Sequence, residues 1–326
     1  MKFRYILAAA SLFAFVGCNE NEVFEKEQYK NIFGFVCESD NTKTKIVSLH
    51  LDESTAYISV SMGGSNPPAQ DVNINFEVDE SLVDAYNSSN FDTNVDKYAL
   101  PLESEKYTFE SMTCTVKAGE RLATIPVQIR PAGMSPHKTY FIPLRVTDYD
   151  NAEMDPEKGT ILYKVGFKNH WAASTGTNYS MIGRRKTATT SEIQMPATKA
   201  VYPMSGNEVF VMPGNLTFSS NIHTLEADCM VIEIGEPTDL VHPVIIKPYR
   251  DLQIEMVAED DENYDPKYPN TYSILDDGFN VYKTFLLQYY YCVGNTKYQM
   301  KEELRIEYKE DKEVDEGFEV IEYVKE

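Results

Sequence analysis

The chain has 326 residues, with 51 acidic and 30 basic side chains and a formal net charge of −21 at pH 7. So acidic a chain argues against nucleic acid as a partner, because it repels polyanions and gains nothing from counterion release. The length exceeds the roughly 250 residues that one hydrophobic core usually spans, and it therefore favours two domains.

Residues 1–17 have the pattern of an export signal. Lys2 and Arg4 precede an apolar run over residues 5–16. The run is shorter than the roughly 20 apolar residues that a membrane-spanning helix needs. It therefore predicts a cleaved signal peptide rather than a membrane span.

Cys18 follows this signal directly and is predicted to accept lipid. Residues 15–18 read Phe-Val-Gly-Cys and resemble the bacterial lipoprotein lipobox, with Phe15 where that pattern usually has Leu. Acyl chains on Cys18 would anchor the mature chain from outside the cytoplasm, so that the lipid alone contacts the membrane. Plain secretion, with Cys18 as an ordinary thiol, is the alternative. The polar residues 18–31 are expected to form a tether.

Residues 32–168 consist of short segments rich in Val, Ile, Phe, Tyr and Thr, separated by turn-forming residues, which is typical of β-strands. In Val72–Val78 the apolar side chains share one face and the polar ones share the other. This alternation indicates a strand with one face in water. One or two helical turns are expected around Ser81–Tyr86. We predict an all-β, Ig-like antiparallel β-sandwich with the strands Ile32–Glu38, Ile46–Leu51, Ala56–Met62, Val72–Val78, Met112–Lys117, Ala123–Arg130, Thr139–Thr147 and Thr160–Phe167.

Residues 169–177 are small, polar and turn-prone, and we interpret them as a linker with little to bury. They contain Trp171, the single tryptophan of the chain. Its ring has two interpretations at this point. It packs the two domains together, or it stacks on a ligand.

Residues 178–326 repeat the strand pattern, and their clearest element is a hairpin. Val281–Val293 and Lys297–Tyr308 flank a Gly-Asn pair suited to a tight reversal. Alternate residues of the returning strand form an apolar face that Glu302 interrupts, and the opposite face is expected in water. A last strand is expected at Phe318–Lys325. We predict a second antiparallel β domain, either a sandwich or a barrel.

The sequence carries no recognisable catalytic, phosphate-binding, dinucleotide-binding or zinc motif. We therefore predict a protein without enzymatic activity, cofactor or metal, although a glycosidase needs only two carboxylates and their residue types abound here. Four further cysteines lie far apart. They form a disulfide within each half or remain buried thiols. These are Cys37 and Cys114 in the first half, and Cys229 and Cys292 in the second.

Aromatic side chains in loops are the candidate ligand-binding residues. Sugar rings stack on flat aromatic faces while neighbouring polar groups bind their hydroxyls. Tyr264, Tyr268 and Tyr272 lie in a segment rich in Pro and Asp, and together with Trp171 they are the predicted site. Simple loop packing is the alternative for the tyrosines. Loss of the signal peptide shifts the net charge to −23, because Lys2 and Arg4 leave with it. This charge favours a neutral ligand.

Two groups of motifs resemble known modules of Bacteroidetes lipoproteins. DVNINFEVD (71–79), VKAGE (116–120) and TYFIPLRV (139–146) are similar to an N-terminal DUF1735 domain. NYSMIG (178–183) and FLLQYYYCVGNTKYQMKEELRIEY (285–308) look like the companion DUF4361 domain. The resemblance implies a gene beside an outer-membrane glycan importer of the starch-utilisation type and, for some members, binding of glycan at the cell surface. It supplies no catalytic motif.

The combined expectation is a two-domain lipoprotein at the outer membrane, exposed at the cell surface. It would bind a neutral oligosaccharide or polysaccharide without catalysis, beside an importer complex. A structural or adhesive protein that binds another protein is the alternative. An exposed row of aromatic residues in a groove would favour glycan, and a large flat apolar patch would favour a protein partner.

Overall fold

The computed structural model describes residues 30–219 and 221–322. The predicted signal peptide, Cys18 and the tether up to residue 29 lie outside the described residues. Within the described residues no helix combines the length and apolar character needed to cross a bilayer.

The first half is a β-sandwich of one five-stranded and one six-stranded sheet. The sheet orders are β10-β1-β3-β8-β6 and β2-β11-β9-β4-β7, with β5 added to β9. The strands are β1 (Ile32–Phe35), β2 (Thr42–Ser48), β3 (Ser54–Met62), β4 (Val72–Val78), β5 (Leu100–Pro101), β6 (Tyr107–Phe109), β7 (Thr113–Val116), β8 (Leu122–Ile129), β9 (Tyr140–Tyr149), β10 (Glu153–Met154) and β11 (Thr160–Lys168).

One hydrophobic core lies between these sheets. Phe35, Val60 and Ile125 from the first sheet pack with Ile74 and Val165 from the second. The predicted sandwich is therefore confirmed, and each of the eight predicted strands overlaps an observed one. The second is displaced, since β2 ends at Ser48 and the predicted strand is Ile46–Leu51. Strands β5, β6 and β10 were not predicted, because two or three residues are too few to show a period. Pairing is antiparallel except at β1–β10, β2–β11 and β5–β9.

Helix α1 (Ser81–Phe91) covers the outer face of the second sheet and is longer than the predicted turns. Its buried Val83 packs with Phe141 and Leu162. Further along, Asn87 donates to the carbonyl oxygen of Ala99 (2.9 Å) and accepts from its backbone N–H (2.8 Å). This pairing gives a buried polar side chain its partners and holds the second half of the helix against the sheet.

The second half is a closed barrel of eight strands, so the open choice between sandwich and barrel is decided. The order is β19-β20-β12-β13-β14-β15-β16-β18, and β18 returns to β19. Two further strands, β17 and β21, join β19 and β18 from outside. The strands are β12 (Thr177–Lys186), β13 (Ile193–Pro203), β14 (Glu208–Val211), β15 (Met230–Ile234), β16 (His242–Pro248), β17 (Ile254–Met256), β18 (Thr271–Asp276), β19 (Val281–Val293), β20 (Thr296–Glu307) and β21 (Val320–Glu322), and helix α2 is Ile222–Asp228.

The barrel interior is filled by side chains and contains a buried ion pair. Tyr179, Phe285 and Tyr291 are enclosed, as expected for an eight-stranded barrel. Glu302, which interrupts the apolar face of β20, is fully buried. One of its oxygens lies 2.5 Å from Lys199 Nζ, and the other accepts a hydrogen bond from Tyr289 OH (2.8 Å). Glu302 is therefore part of the core, where its charge is compensated by Lys199 and by the hydroxyl of Tyr289.

Two other expectations are revised by the structure. Each of the four described cysteines is a free thiol, so the disulfide alternative is not realised. The outer face of β20 is also not simply exposed to water, because Gln299 is buried. A loop that arrives from β17 covers this part of the strand, and the sequence alternation of β20 alone does not indicate such a cover.

We expect Lys199→Met to lower the free energy of unfolding by about 3–5 kcal/mol, because it leaves Glu302 buried without a counter-ion. The double variant Lys199→Met/Glu302→Gln should recover most of this loss, since the amide oxygen still accepts from Tyr289. Urea unfolding followed by the fluorescence of Trp171 measures both. A double variant as unstable as the single one would contradict the assignment.

Candidate functional site

A row of polar side chains crosses the outer face of the barrel. In the register of four adjacent strands, Glu255 of β17 lies opposite Tyr290, Tyr290 opposite Gln299, and Gln299 opposite Lys186 of β12. Successive side chains of a strand point to opposite faces. Since Tyr289 is buried in the interior, these four side chains all lie on the outside.

The loop between β17 and β18, residues 257–270, closes over one side of this row. The carboxylate of Asp261 accepts a hydrogen bond from Tyr290 OH at 3.1 Å. Asn263 accepts from Lys186 Nζ through its side-chain oxygen (2.8 Å) and from Gln299 Nε2 through its backbone oxygen (2.9 Å). The loop is therefore bonded to three of the four strands beneath it.

A buried glutamine holds the same loop from below. Gln288 of β19 is fully buried, and its side-chain amide donates to the backbone oxygen of Asp265 and accepts from its backbone N–H, both at 3.0 Å. Asn270 Oδ1 accepts from the backbone N–H of Gln288 (2.7 Å). These bonds satisfy a polar side chain within a mostly apolar strand, and they set the height of the loop above the barrel wall.

Between the loop, the row and the β12–β13 connection lies a cleft of about 460 Å³. This volume is in the range of ligand sites. A second cavity of about 290 Å³ adjoins it and shares Glu255, Tyr290 and Lys297 with it. The two together form one groove with the half-buried Tyr290 ring at their junction. The lining of the larger part is Lys186, Thr187, Ala188, Thr190, Glu255, Asp261, Glu262, Asn263, Tyr290, Lys297 and Gln299.

The electrostatics of the cleft are nearly balanced. Lys297 Nζ lies 4.2 Å from the centre of the Tyr290 ring and 2.5 Å from Glu255 Oε1. A backbone hydrogen bond from Asn263, aided by Tyr290 OH, lowers the pKa of Asp261. Burial raises the pKa of Tyr290. At neutral pH the phenol is therefore protonated and donates to an ionised carboxylate. Among the described residues no cluster of His, Cys, Asp and Glu is arranged to hold a metal ion.

The predicted tyrosine loop is the segment that borders the cleft, but its tyrosines do not line it. Tyr264 and Tyr268 are half-buried within the loop, and their role in binding stays a prediction. Asp261, Glu262 and Asn263 face the cleft in their place.

Tyr272 and Trp171 require a correction. Tyr272 lies in β18 rather than in a loop and is fully enclosed in the barrel. Trp171 is 3% exposed. Neither ring has a free face, so the prediction that they stack on a ligand is wrong. The packing interpretation of Trp171 fits its position, since the ring lies in the barrel core and approaches His50 of the sandwich.

The aromatic residue of the cleft, Tyr290, was missed. Its signal was present in the run Tyr289-Tyr290-Tyr291, because alternation places the middle ring opposite the two that enter the core. Tyr290 was missed because both faces of β19 are rich in apolar and aromatic residues, so the sequence alone does not indicate which face is exposed. The contributions of Lys186 and Gln299 depend on the register between strands and have no local signal.

Comparisons with known proteins identify the family. A family model described as an N-terminal domain matches residues 24–153, and its companion, described as C-terminal, matches residues 159–305. A Bacteroides ovatus multidomain protein that includes DUF1735 superposes with a TM-score of 0.61 at 15% identity, over 84% of this chain and 94% of its own. The chain therefore belongs to the two-domain family that these paired models describe, and it shares the fold of the Bacteroides protein that includes DUF1735. Comparison with curated proteins gives no match.

Other solved structures share the fold of this chain. A Bacteroides ovatus protein of unknown function has a TM-score of 0.62 at 15% identity, over 85% of this chain and 94% of its own. A Bacteroides thetaiotaomicron protein described as an auxiliary nutrient binding protein has a TM-score of 0.59 at 13% identity, over 83% of this chain and 94% of its own. At these identities the likeness shows the fold alone.

The junction between the two halves contains a second polar cluster, whose residues are not among those that line the cleft. The predicted linker is wrong in one respect, since residues 169–172 are all buried. The ring of His170 stacks on Phe318 at 3.6 Å between centroids. Its Nδ1 lies 2.6 Å from Asp315 Oδ1, and its Nε2 bonds Tyr272 OH. Lys283 Nζ lies 3.6 Å from the same Asp315 oxygen.

The C-terminal segment, residues 309–318, joins both halves at this junction. Ser48 of the sandwich donates through its hydroxyl to the backbone oxygen of Glu313 (2.9 Å), and Lys168 pairs with the Glu313 carboxylate (3.1 Å). The charged and backbone groups of this segment therefore connect the two domains.

Because His170 is buried at the junction, we expect the protein to lose stability in acid. Burial lowers the pKa of His170 to about 4, against the opposing effect of Asp315. In the unfolded chain its pKa is about 6.5, so the unfolded state binds more protons between these values. The free energy of unfolding should therefore fall as pH decreases, by about 1–2 kcal/mol between pH 6.5 and 5 from this group.

Urea unfolding at both pH values, followed by Trp171 fluorescence, tests this. The variant His170→Gln should lose less stability over the interval than the wild type does. His223→Gln, which changes an exposed histidine, is the matched control and should follow the wild type. Equal losses in all three proteins would show that His170 is not the responsible group.

Proposed function

We propose that this protein is a non-catalytic cell-surface protein that binds a neutral oligosaccharide or polysaccharide in the cleft around Tyr290. One observation carries the proposal. A half-buried aromatic ring lies in an open groove on the barrel wall, flanked by the carboxylate of Glu255, the amide of Gln299 and the ammonium of Lys297. A ring for stacking with hydrogen-bonding groups around it is the arrangement that suits a sugar.

The charge of the cleft supports a neutral ligand. Two lysines, Lys186 and Lys297, stand against three carboxylates, Glu255, Asp261 and Glu262. The whole chain is strongly acidic. A glycan that carries uronic acids would therefore meet repulsion without a compensating basic patch.

The state of the carboxylates supports binding without catalysis. A glycosidase needs one carboxylic acid whose pKa is raised so that it can protonate the leaving group. Here the pKa of Asp261 is lowered by its hydrogen bonds, and Glu255 is paired with Lys297. The similarity in fold to a protein described as an auxiliary nutrient binding protein is consistent with a binding role.

The proposed location rests on the N-terminal sequence. We propose that Cys18 carries the lipid anchor at the outer membrane, and that residues 18–31 tether the sandwich to it. Capture of a glycan close to the membrane would raise its local concentration beside an importer. The importer is the partner that the resemblance to DUF1735 lipoproteins implies.

The first test is binding to an array of neutral and uronic-acid hexasaccharides, followed by calorimetry. Tyr290→Ala should weaken binding of a neutral hexasaccharide by about 1 kcal/mol, roughly fivefold, because stacking is lost. Tyr57→Ala is the matched control. It removes a tyrosine that is 59% exposed on the sandwich, far along the chain from the cleft, and should leave affinity unchanged.

Three outcomes would count against the proposal. Preference for a uronic acid would overturn the charge argument. Unchanged affinity in Tyr290→Ala would place the site elsewhere. Absence of binding to every glycan would favour the structural or adhesive alternative.

Replacing Cys18 by Ser should abolish lipid modification and release the protein from membranes, because each buried methylene contributes about 0.8 kcal/mol to anchoring. Metabolic labelling with a fatty-acid analogue, combined with membrane fractionation, measures both effects. Cys37→Ser, which changes a half-buried thiol of the sandwich, should keep both label and location. Continued labelling of Cys18→Ser would refute the anchor.

A further inference from the structure

Gln299 occupies the centre of the row, and only one of the two polar atoms of its side-chain amide forms a hydrogen bond with the described residues. The residue is 4% exposed, and it lines the cleft between its cross-strand neighbours Tyr290 and Lys186. Its Nε2 donates to the backbone oxygen of Asn263 at 2.9 Å. Within the part of the chain that the structure describes, its buried Oε1 has no hydrogen-bond partner.

The orientation of this amide is determined by its surroundings. Exchange of the nitrogen and oxygen would place Oε1 against the carbonyl oxygen of Asn263, which is an acceptor and cannot donate. The atom without a partner is therefore an acceptor that requires a donor. A buried acceptor left unsatisfied costs about 1–3 kcal/mol, and native proteins keep few such groups.

Gln288 provides an internal comparison. It lies two residues before Tyr290 on the same outer face of β19, and both ends of its amide bond Asp265. In Gln288 both polar atoms of the side-chain amide are therefore hydrogen-bonded, and the residue does not line the cleft. Gln299 lines the cleft, and its side-chain oxygen has no hydrogen-bond partner among the described residues. This unpaired acceptor at the cleft is the difference from Gln288 that indicates a contact with a ligand.

We propose that Gln299 Oε1 accepts a hydrogen bond from one hydroxyl of the sugar unit bound beside Tyr290, which makes Gln299 a specificity-determining residue. The proposal depends on glycan binding at this cleft. In this structure the oxygen is enclosed, so a neighbouring side chain must move to admit a hydroxyl. Lys186, directly across the strand pair, is half-buried, and its ammonium donates to Asn263 Oδ1. A change of rotamer in its long side chain, with loss of this one hydrogen bond, is the movement that would admit the hydroxyl.

The chemistry of the contact restricts the ligand. Ring and glycosidic oxygens of a sugar are acceptors and cannot satisfy Oε1, whereas a free hydroxyl can. A site built around a hydroxyl discriminates strongly against the analogue that lacks it, because its own polar group is then left unpaired. Glycans that are deoxygenated or methylated at this one position should therefore be rejected, although their rings still stack.

Calorimetry with the neutral hexasaccharide that binds most tightly in the array, and with its monodeoxy derivatives, tests the contact. In the wild type, one monodeoxy derivative should bind roughly tenfold to a hundredfold more weakly than the parent. In Gln299→Met the parent should already show this loss, and the same deoxygenation should cause no further loss. Gln128→Met, at a sandwich glutamine that accepts from Thr55 Oγ1, should behave as the wild type.

The outcomes separate this proposal from the one it depends on. If the wild type binds and Gln299→Met retains the same pattern of deoxy effects, Gln299 only supports the loop through Asn263, and the inference fails while glycan binding stands. If all monodeoxy derivatives bind the wild type equally, the inference fails even where the variant does not fold. Absence of binding to every glycan in the array overturns both.

Discussion

Strand β19 determines the arrangement of the second domain, because it is paired on both edges along nearly its whole length. It pairs with β20 throughout, with β18 over its first half and with β17 over its second. A shift by one residue would exchange the faces of every side chain. The present register buries Tyr289 and Tyr291 and leaves Tyr290 outside. The pairing register of β19 therefore both closes the barrel and decides which side chains line the cleft.

Three buried polar clusters in this protein are satisfied by partners far away in sequence. Glu302 pairs with Lys199, Gln288 bonds the backbone of Asp265, and His170 lies between Asp315 and Tyr272. Each pairing holds two distant elements in one relative position, because separation would leave a polar group buried without a partner. Among the described residues, Gln299 Oε1 is one of five buried side-chain atoms without a partner, and of these five residues Gln299 is the one that lines the cleft.

The two domains are joined by more than a linker. His170 and Trp171 enter the base of the barrel, and the C-terminal segment crosses the junction to reach Ser48 and Lys168 of the sandwich. Polar contacts between Asp96 and Asn221 add a second connection (3.2 Å). Mobility of one domain relative to the other would break these contacts, so they favour a stable orientation of the barrel and its cleft relative to the sandwich.

The amino-acid sequence alone determined the strands of the sandwich, the start of α1 and the long hairpin, because alternation and turn residues are local properties. It also carries the export signal and Cys18, which remain predictions. The tertiary structure alone decided that the second domain closes into a barrel, that Trp171 and Tyr272 are buried, and that Tyr290, Gln299 and Lys186 form one cleft. These features depend on pairing between strands up to about a hundred residues apart, such as Lys186 opposite Gln299, and no local pattern encodes which distant strand becomes a neighbour.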